Sequence, residues 1–393
     1  MQDYHNKNLS VFFGILISIL FLILPFRYIS NGWLTLIGLN FRYFEIIIAA
    51  CMVALILAKN KTVNRSYAMF LSSFIIMYCI IMSNYNIQSE YLSARLIFSF
   101  LVFSIVPIII FPFRTYANNA TLISVLRYFM YGFLILSFIR FYAYFSSYGF
   151  ISFQHVRDHL SLFHSANEII SLDILGIDSI PMSRLCGLVI LISIFFNYGS
   201  KLFRLLVVAA AVILMIFAMS RQSMIAVLLV VLFMSSPKIK LLAISFVLIA
   251  VSLIWVSVGI DNTRLLYGGG ERINYILYFF SNLHETSFLG NGISSFGINF
   301  GNPDIYPHNF FIEMIYELGW AMFFIFLLMS ITSYIMCRSS LYNDHFLFKK
   351  FSFITFIYYL IVAQFSGDMF YNVMVFSFLF FSLLFSLGGK IEK

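Results

Sequence analysis

Twelve apolar stretches, at about 11–29, 40–58, 66–83, 93–111, 121–145, 184–199, 203–219, 223–235, 241–258, 310–335, 351–366 and 369–387, leave this chain little choice of solvent. As helices, runs of this kind cross ~30 Å of hydrocarbon. With 62% hydrophobic and 10% charged residues there are too few polar groups to solvate a globular surface, which excludes the soluble classes. The expectation is an all-α, polytopic integral membrane protein of about 12 transmembrane helices, one membrane domain over 1–393. The first run, VFFGILISILFLIL, lacks a small-residue cleavage pattern and reads as a retained span. Cys51, Cys79, Cys186 and Cys337 lie in or beside apolar runs with no paired spacing, so they read as small core residues, neither disulfides nor a zinc site.

Lysine placement orients the map. Threading from a cytoplasmic amino terminus puts Lys7, Lys59, Lys61, Lys201, Lys238, Lys240, Lys349, Lys350, Lys390 and Lys393 all inside. The stretch LLVVAAAVILMIFAMSRQSMIAVLLVVLFMSS reads either as one long helix or as two short ones broken at Ser220-Arg221-Gln222. One helix would carry Lys201 and Lys238 to opposite sides, so two are favoured, with Arg221 recessed below the outer surface. Two long outward loops result, 146–183 and 259–309; the second precedes the tenth span and carries the candidate catalytic motifs.

The basic residues left on or near the outer face are arginines: Arg27, Arg42, Arg95, Arg140, Arg157, Arg184, Arg221, Arg264 and Arg272. Arginine keeps its charge on burial and presents a planar fork that matches phosphate oxygens. For Arg27, Arg42, Arg95, Arg140 and Arg157, pairing with outward acids such as Glu90, Asp158, Glu271 or Asp304 is the simpler reading. Arg221 interrupts a membrane segment, and Arg264 and Arg272 flank Gly268-Gly269-Gly270, whose flexibility suits a segment that closes on a ligand.

The segment YPHNFFIEMIYELGW, 306–320, sets a Pro-His-Asn corner and two glutamates at the mouth of an apolar helix. Ionisable groups at membrane depth are costly and persist where they serve a function. Pro307 fixes the approach and Asn309 is a good cap, which places His308 at the positive end of the helix that follows. That field favours the neutral ring, and a neutral imidazole can accept a proton. Glu313 and Glu317 fall one turn apart on one face and must look into protein or a wet cavity. They read as partners that orient Arg221 or Arg272, with a second base as the alternative.

Three stretches, taken in order, resemble the bacterial O-antigen ligase/polymerase superfamily: Ser220-Arg221 between two membrane helices, Arg272 followed by a helix and Gly290-Asn291-Gly292, and His308-Asn309 with Gly319 ten residues on. The likeness covers roughly 203–335, and Arg184 ahead of Gly187 is a further point of it. The resemblance implies an inverting, metal-independent glycosyltransferase of the inner membrane, its active site facing the periplasm. It would act on an undecaprenyl-pyrophosphate-linked oligosaccharide donor and acceptor, with no cofactor and no nucleic acid, amid membrane lipid and beside a chain-length regulator protein. His308, Arg221 and Arg272 would be catalytic; Arg264, Arg184, Asn309, Glu313 and Glu317 would bind substrate. Trp320-Ala321-Met322 after Gly319 departs from the ligase form, which favours O-antigen polymerase over ligase. A lipid-linked oligosaccharide flippase is the reading from another class, and it predicts an internal repeat that the sequence does not show.

Other patterns carry less. HVRDHLSLFH sets His155 and His159 a turn apart beside Asp158 and near His164, a spacing that amphipathic helices produce freely and a weak metal signal. The same loop reads equally as a lid at the membrane interface. Residues 290–297, GNGISSFG, lack both the spacing and the preceding strand of a dinucleotide loop. Asp368 reads as a turn residue between the last two spans.

Overall fold

The computed structural model describes residues 119–148, 179–217, 221–234, 262–301, 305–341, 346–365 and 372–387. The spans expected at 11–29, 40–58, 66–83, 93–111 and 241–258 lie outside them, as do most of the loop 146–183 with its histidines, Cys51, Cys79 and Asp368. Among the described residues all regular structure is helical, with no strand. They fall into two compact units, 119–234 and 262–387.

The first unit holds α1 (Asn119–Tyr148), α2 (Ser179–Phe195), α3 (Lys201–Phe217) and α4 (Arg221–Met234). Separate helices therefore occupy 201–217 and 221–234, and residues 218–220 lie outside the described ones. Helix α2 is the centre, packing on both α3 and α4, while α1 packs on α3. The corner between α2 and α3 is fastened by Tyr198, which is fully buried. Its hydroxyl lies 2.7 Å from Ser193 Oγ, and its carbonyl accepts from Arg127 Nε on α1 at 2.9 Å. A buried tyrosine needs such a partner for its hydroxyl.

The second unit begins with α5 (Asn262–Ser281), a 3-10 turn (Leu283–Glu285) and α6 (Ser295–Phe300). The expected loop 259–309 is thus largely helical. Gly268-Gly269-Gly270 lies inside α5 and is no flexible flap. Each glycine costs a helix about 1 kcal/mol against alanine, and the packing of Tyr275 and Phe279 farther along α5 offsets that cost.

Helix α7 follows, an α-turn (Phe310–Glu313) that widens into a π-turn (Met314–Leu318). Then come α8 (Gly319–Leu341), α9 (Leu347–Ala363) and α10 (Val373–Leu387). Ring contacts fix their directions. Tyr334 meets Phe353 and Phe326 meets Phe356, so α8 and α9 are antiparallel. Phe326 meets Phe376, Ser333 bonds Ser382, and Cys337 Sγ lies 3.1 Å from Ser386 Oγ, so α10 runs parallel to α8. Small polar side chains of this kind let helices approach closely and link them where no water competes. Cys186 and Cys337 are buried thiols outside any disulfide, as their apolar settings predict.

The tenth span was expected as one helix over 310–335. By length and apolarity Phe310–Leu341 passes as a membrane span, as does Asn119–Ile139. The chain nevertheless turns back inside it. The rings of Phe310 and Phe326 are 5.3 Å apart and those of Phe311 and Phe323 5.8 Å, whereas a straight helix would hold residues sixteen apart about 24 Å from each other. The bend is at Gly319, with φ 83° and ψ 169°, a conformation hostile to any residue bearing a Cβ. The part long enough to cross is α8, and α7 folds back along its first turns.

Candidate functional site

Helix α7 and the chain that receives it form the site. An abrupt end leaves helix carbonyls and N–H groups without helical partners, and burial makes each omission costly. Here residues 288–292 supply them. The carbonyl of Tyr316 accepts from Asn291 N and that of Glu317 from Gly292 N, each at 3.0 Å; Ala321 N, at the start of α8, donates to the Phe288 carbonyl at 3.1 Å. The two backbones cross at Gly290 and Gly319. A Cβ on Gly319 would stand 2.2 Å from Gly290 N, and one on Gly290 would stand 2.3 Å from the Glu317 carbonyl oxygen. Both glycines are therefore demanded by close approach as well as by positive φ.

At the other end of α7, the Asn309 side chain accepts from Phe311 N and Ile312 N, both at 3.1 Å, which satisfies two of the first-turn donors. His308, just before it, has φ 53°, the left-handed region that a residue with a Cβ enters at a cost of about 1–3 kcal/mol. Its ring lies 4.3 Å from that of Tyr306 and 6.3 Å from that of Tyr275, nearly parallel to the latter. Behind it on α7, Glu313 and Glu317 are both 0% exposed. The expectation that these carboxylates look into protein holds.

Aromatic packing fixes the frame. Tyr275, Phe279, Phe296, Ile315 and Tyr316 form one buried cluster contributed by α5, α6 and α7. Tyr275 meets Phe300 edge-on at 5.1 Å, Phe296 meets Tyr316 edge-on at 5.4 Å, and Asn299 Nδ2 donates to the Tyr316 hydroxyl at 3.0 Å. Such pairs add ~0.5–1.5 kcal/mol each beyond the area they bury. Tyr278 sits at the cluster's edge, and burial, then its hydrogen bond to Tyr316, pushes its hydroxyl pKa up to about 12. The sequence reading did not single out these rings; the signal was the spacing of Tyr275, Tyr278 and Phe279 on one side of a helix.

Helix α7 thus carries His308 and Asn309 at its start, the buried Glu313 and Glu317 along it, and Gly319 at its end, where Gly290-Asn291-Gly292 crosses it. Arg272 stands on α5 one turn before Tyr275. Its guanidinium donates to the Phe365 carbonyl at 3.0 Å, just past the carboxy end of α9. A cation there complements the negative end of the helix dipole, a structural contact that the sequence did not foretell. Arg184 is half-buried on α2. Arg221 is the first residue of α4 and Arg264 lies in the first turn of α5, while their side chains fall outside the described ones. Among the described residues no group of three or more His, Cys, Asp or Glu could hold a metal ion. No family model and no curated protein matches the sequence.

Proposed function

We propose that this chain is a glycosyltransferase that spans the bacterial inner membrane about twelve times and polymerises undecaprenyl-pyrophosphate-linked O-antigen repeat units at the periplasmic face. The observation that carries the reading is His308. A left-handed non-glycine residue heads a capped turn, its ring is set among tyrosines, and two fully buried carboxylates follow on the same helix. Strain of this kind persists where the surroundings over-determine it, and such places cluster at functional sites.

In the reaction the bond between the donor's anomeric carbon and its phosphate oxygen breaks, with the electron pair leaving on the diphosphate. A hydroxyl oxygen of the acceptor sugar bonds to that carbon from the opposite side, and its proton passes to the His308 imidazole. Guanidinium groups meet the negative charge that develops on the leaving group, a contribution of a few kcal/mol per fixed donor. Arg221, Arg272 and Arg264 are assigned that role, Arg184 a place in substrate binding, and Glu313 and Glu317 that of orienting the guanidinium forks. Removing a general base costs about 10²–10⁴ in rate.

The test is a gene deletion complemented with wild type or His308→Ala, read on a gel of cell-surface lipopolysaccharide with the protein level in the membrane followed in parallel. A deletion that leaves core bearing a single repeat, unrelieved by a stably inserted His308→Ala chain, is the expected result. Bare core with long glycan retained on the carrier would reassign the chain as a ligase. An unchanged ladder would remove both.

A further inference from the structure

Helix α5 is apolar on two opposite sides. At 3.6 residues per turn, Tyr275, Tyr278 and Phe279 fall within an arc of about 100°, and Ile273, Ile276, Leu277 and Phe280 within a second such arc facing away from it. The first set packs into the aromatic cluster. The second set is exposed, Leu277 at 60% and Phe280 at 63%, and Phe288 beyond the helix is as bare at 63%. Polar residues, Arg272 on one flank and Asn274 and Ser281 on the other, separate the two faces. An aqueous surface does not ordinarily leave so many large apolar side chains contiguous.

The anchoring of α5 identifies what covers that face. Arg272 bonds the chain just after α9. Phe288, eight residues past the helix's last exposed aromatic, bonds Ala321 at the beginning of α8. Because α8 and α9 are antiparallel, those two points are on the same side of the bundle. The middle of α5 is thus held at the end of α9 and the chain just beyond it at the start of α8, both at one end of the bundle. One turn past Ala321, the partner of Phe288, an exposed apolar stripe of α8 begins with Phe324 and runs through Leu328, Ile331 and Ile335.

We propose that the face of Ile273, Ile276, Leu277 and Phe280, extended by Phe288, is a membrane-docking surface that lies in the boundary between lipid headgroups and acyl chains. It rests on the membrane-spanning part of the proposed function and on none of its chemistry. In-plane helices of this type bury their apolar side about 5–10 Å into that boundary. Arg272, on the polar flank, then stands at the level of the lipid phosphates.

The full chain in phospholipid nanodiscs, carrying a single nitroxide-labelled cysteine at 277, 280, 274 or 328 in a cysteine-free background, tests this. Leu328→Cys is the acyl-chain reference and Asn274→Cys the aqueous one. Labels at Leu277→Cys and Phe280→Cys are expected to respond to oxygen over a water-soluble nickel relaxant severalfold more than the label at 274, approaching that at 328. Equal nickel access at 280 and 274, or no access of either reagent at 277 and 280, would overturn the proposal, the second by showing a protein surface on that face. Nickel access at 328 would instead sink the membrane reading itself. A photo-crosslinking benzoylphenylalanine at 280 in the chain with its native cysteines keeps the test independent of the cysteine-free background; adducts with phospholipid support the proposal and adducts with protein alone overturn it.

Discussion

Replacing Gly319 with alanine should dismantle the elbow between α7 and α8. The new methyl would lie 2.2 Å from Gly290 N, 2.4 Å from the Phe288 carbonyl oxygen and 2.5 Å from the Leu289 carbonyl carbon. All three are backbone atoms, so no side-chain rotation relieves the clash. Forcing an L-residue into φ 83° and ψ 169° costs about 1–3 kcal/mol. Separating the two backbones forfeits three hydrogen bonds, each worth a net ~0.5–1.5 kcal/mol. The expected loss is roughly 3–7 kcal/mol. Hydrogen exchange of the Asn291, Gly292 and Ala321 amides in detergent or nanodiscs reads it locally, and reversible unfolding in mixed micelles reads it globally. Gly290→Ala breaks the same crossing from the other side, so the double variant should cost little more than either single one. Amides that stay protected in Gly319→Ala, or losses that add fully in the double variant, would show that the two backbones do not depend on each other.

Asn309→Ala should remove about 1 kcal/mol of stability through loss of the cap, while Asn309→Asp retains the acceptor; exchange at the Phe311 and Ile312 amides distinguishes the two. The folded chain keeps the Tyr278 proton to about pH 12, whereas the unfolded chain releases it near pH 10. The native state thus binds the extra proton between those values, and stability should fall as pH rises through that window. Tyr278→Phe should flatten the fall, which an alkaline unfolding series would detect.

The helices themselves were legible because hydrophobic length is read locally: 119–148 against an expected 121–145 in α1, and 221–234 against 223–235 in α4. The Asn309 cap was legible for the same reason, since the residue and the donors it serves are neighbours. The elbow was not. Phe310 through Leu341 passes as one apolar span despite Glu313 and Glu317, and what stops the helix at Gly319 is backbone arriving from residues 288–292. Gly319 was visible as a motif position, but the reason for it, a crossing too close for any methyl, belongs to tertiary structure. The three glycines at 268–270 misled in the opposite direction, because local propensity pointed to a flap where packing elsewhere along α5 carries the helix through.

The elbow also constrains how the chain is made. On the membrane-spanning reading proposed above, hydropathy alone gives an insertion apparatus no mark for where in Phe310–Leu341 the crossing begins. The mark is the earlier-synthesised segment 288–292, waiting with two amides and a carbonyl for the newly emerging helix. On that reading, depth of insertion in this region follows the closure of 288–292 on the elbow, a crossing that leaves no room for a methyl at Gly290 or Gly319.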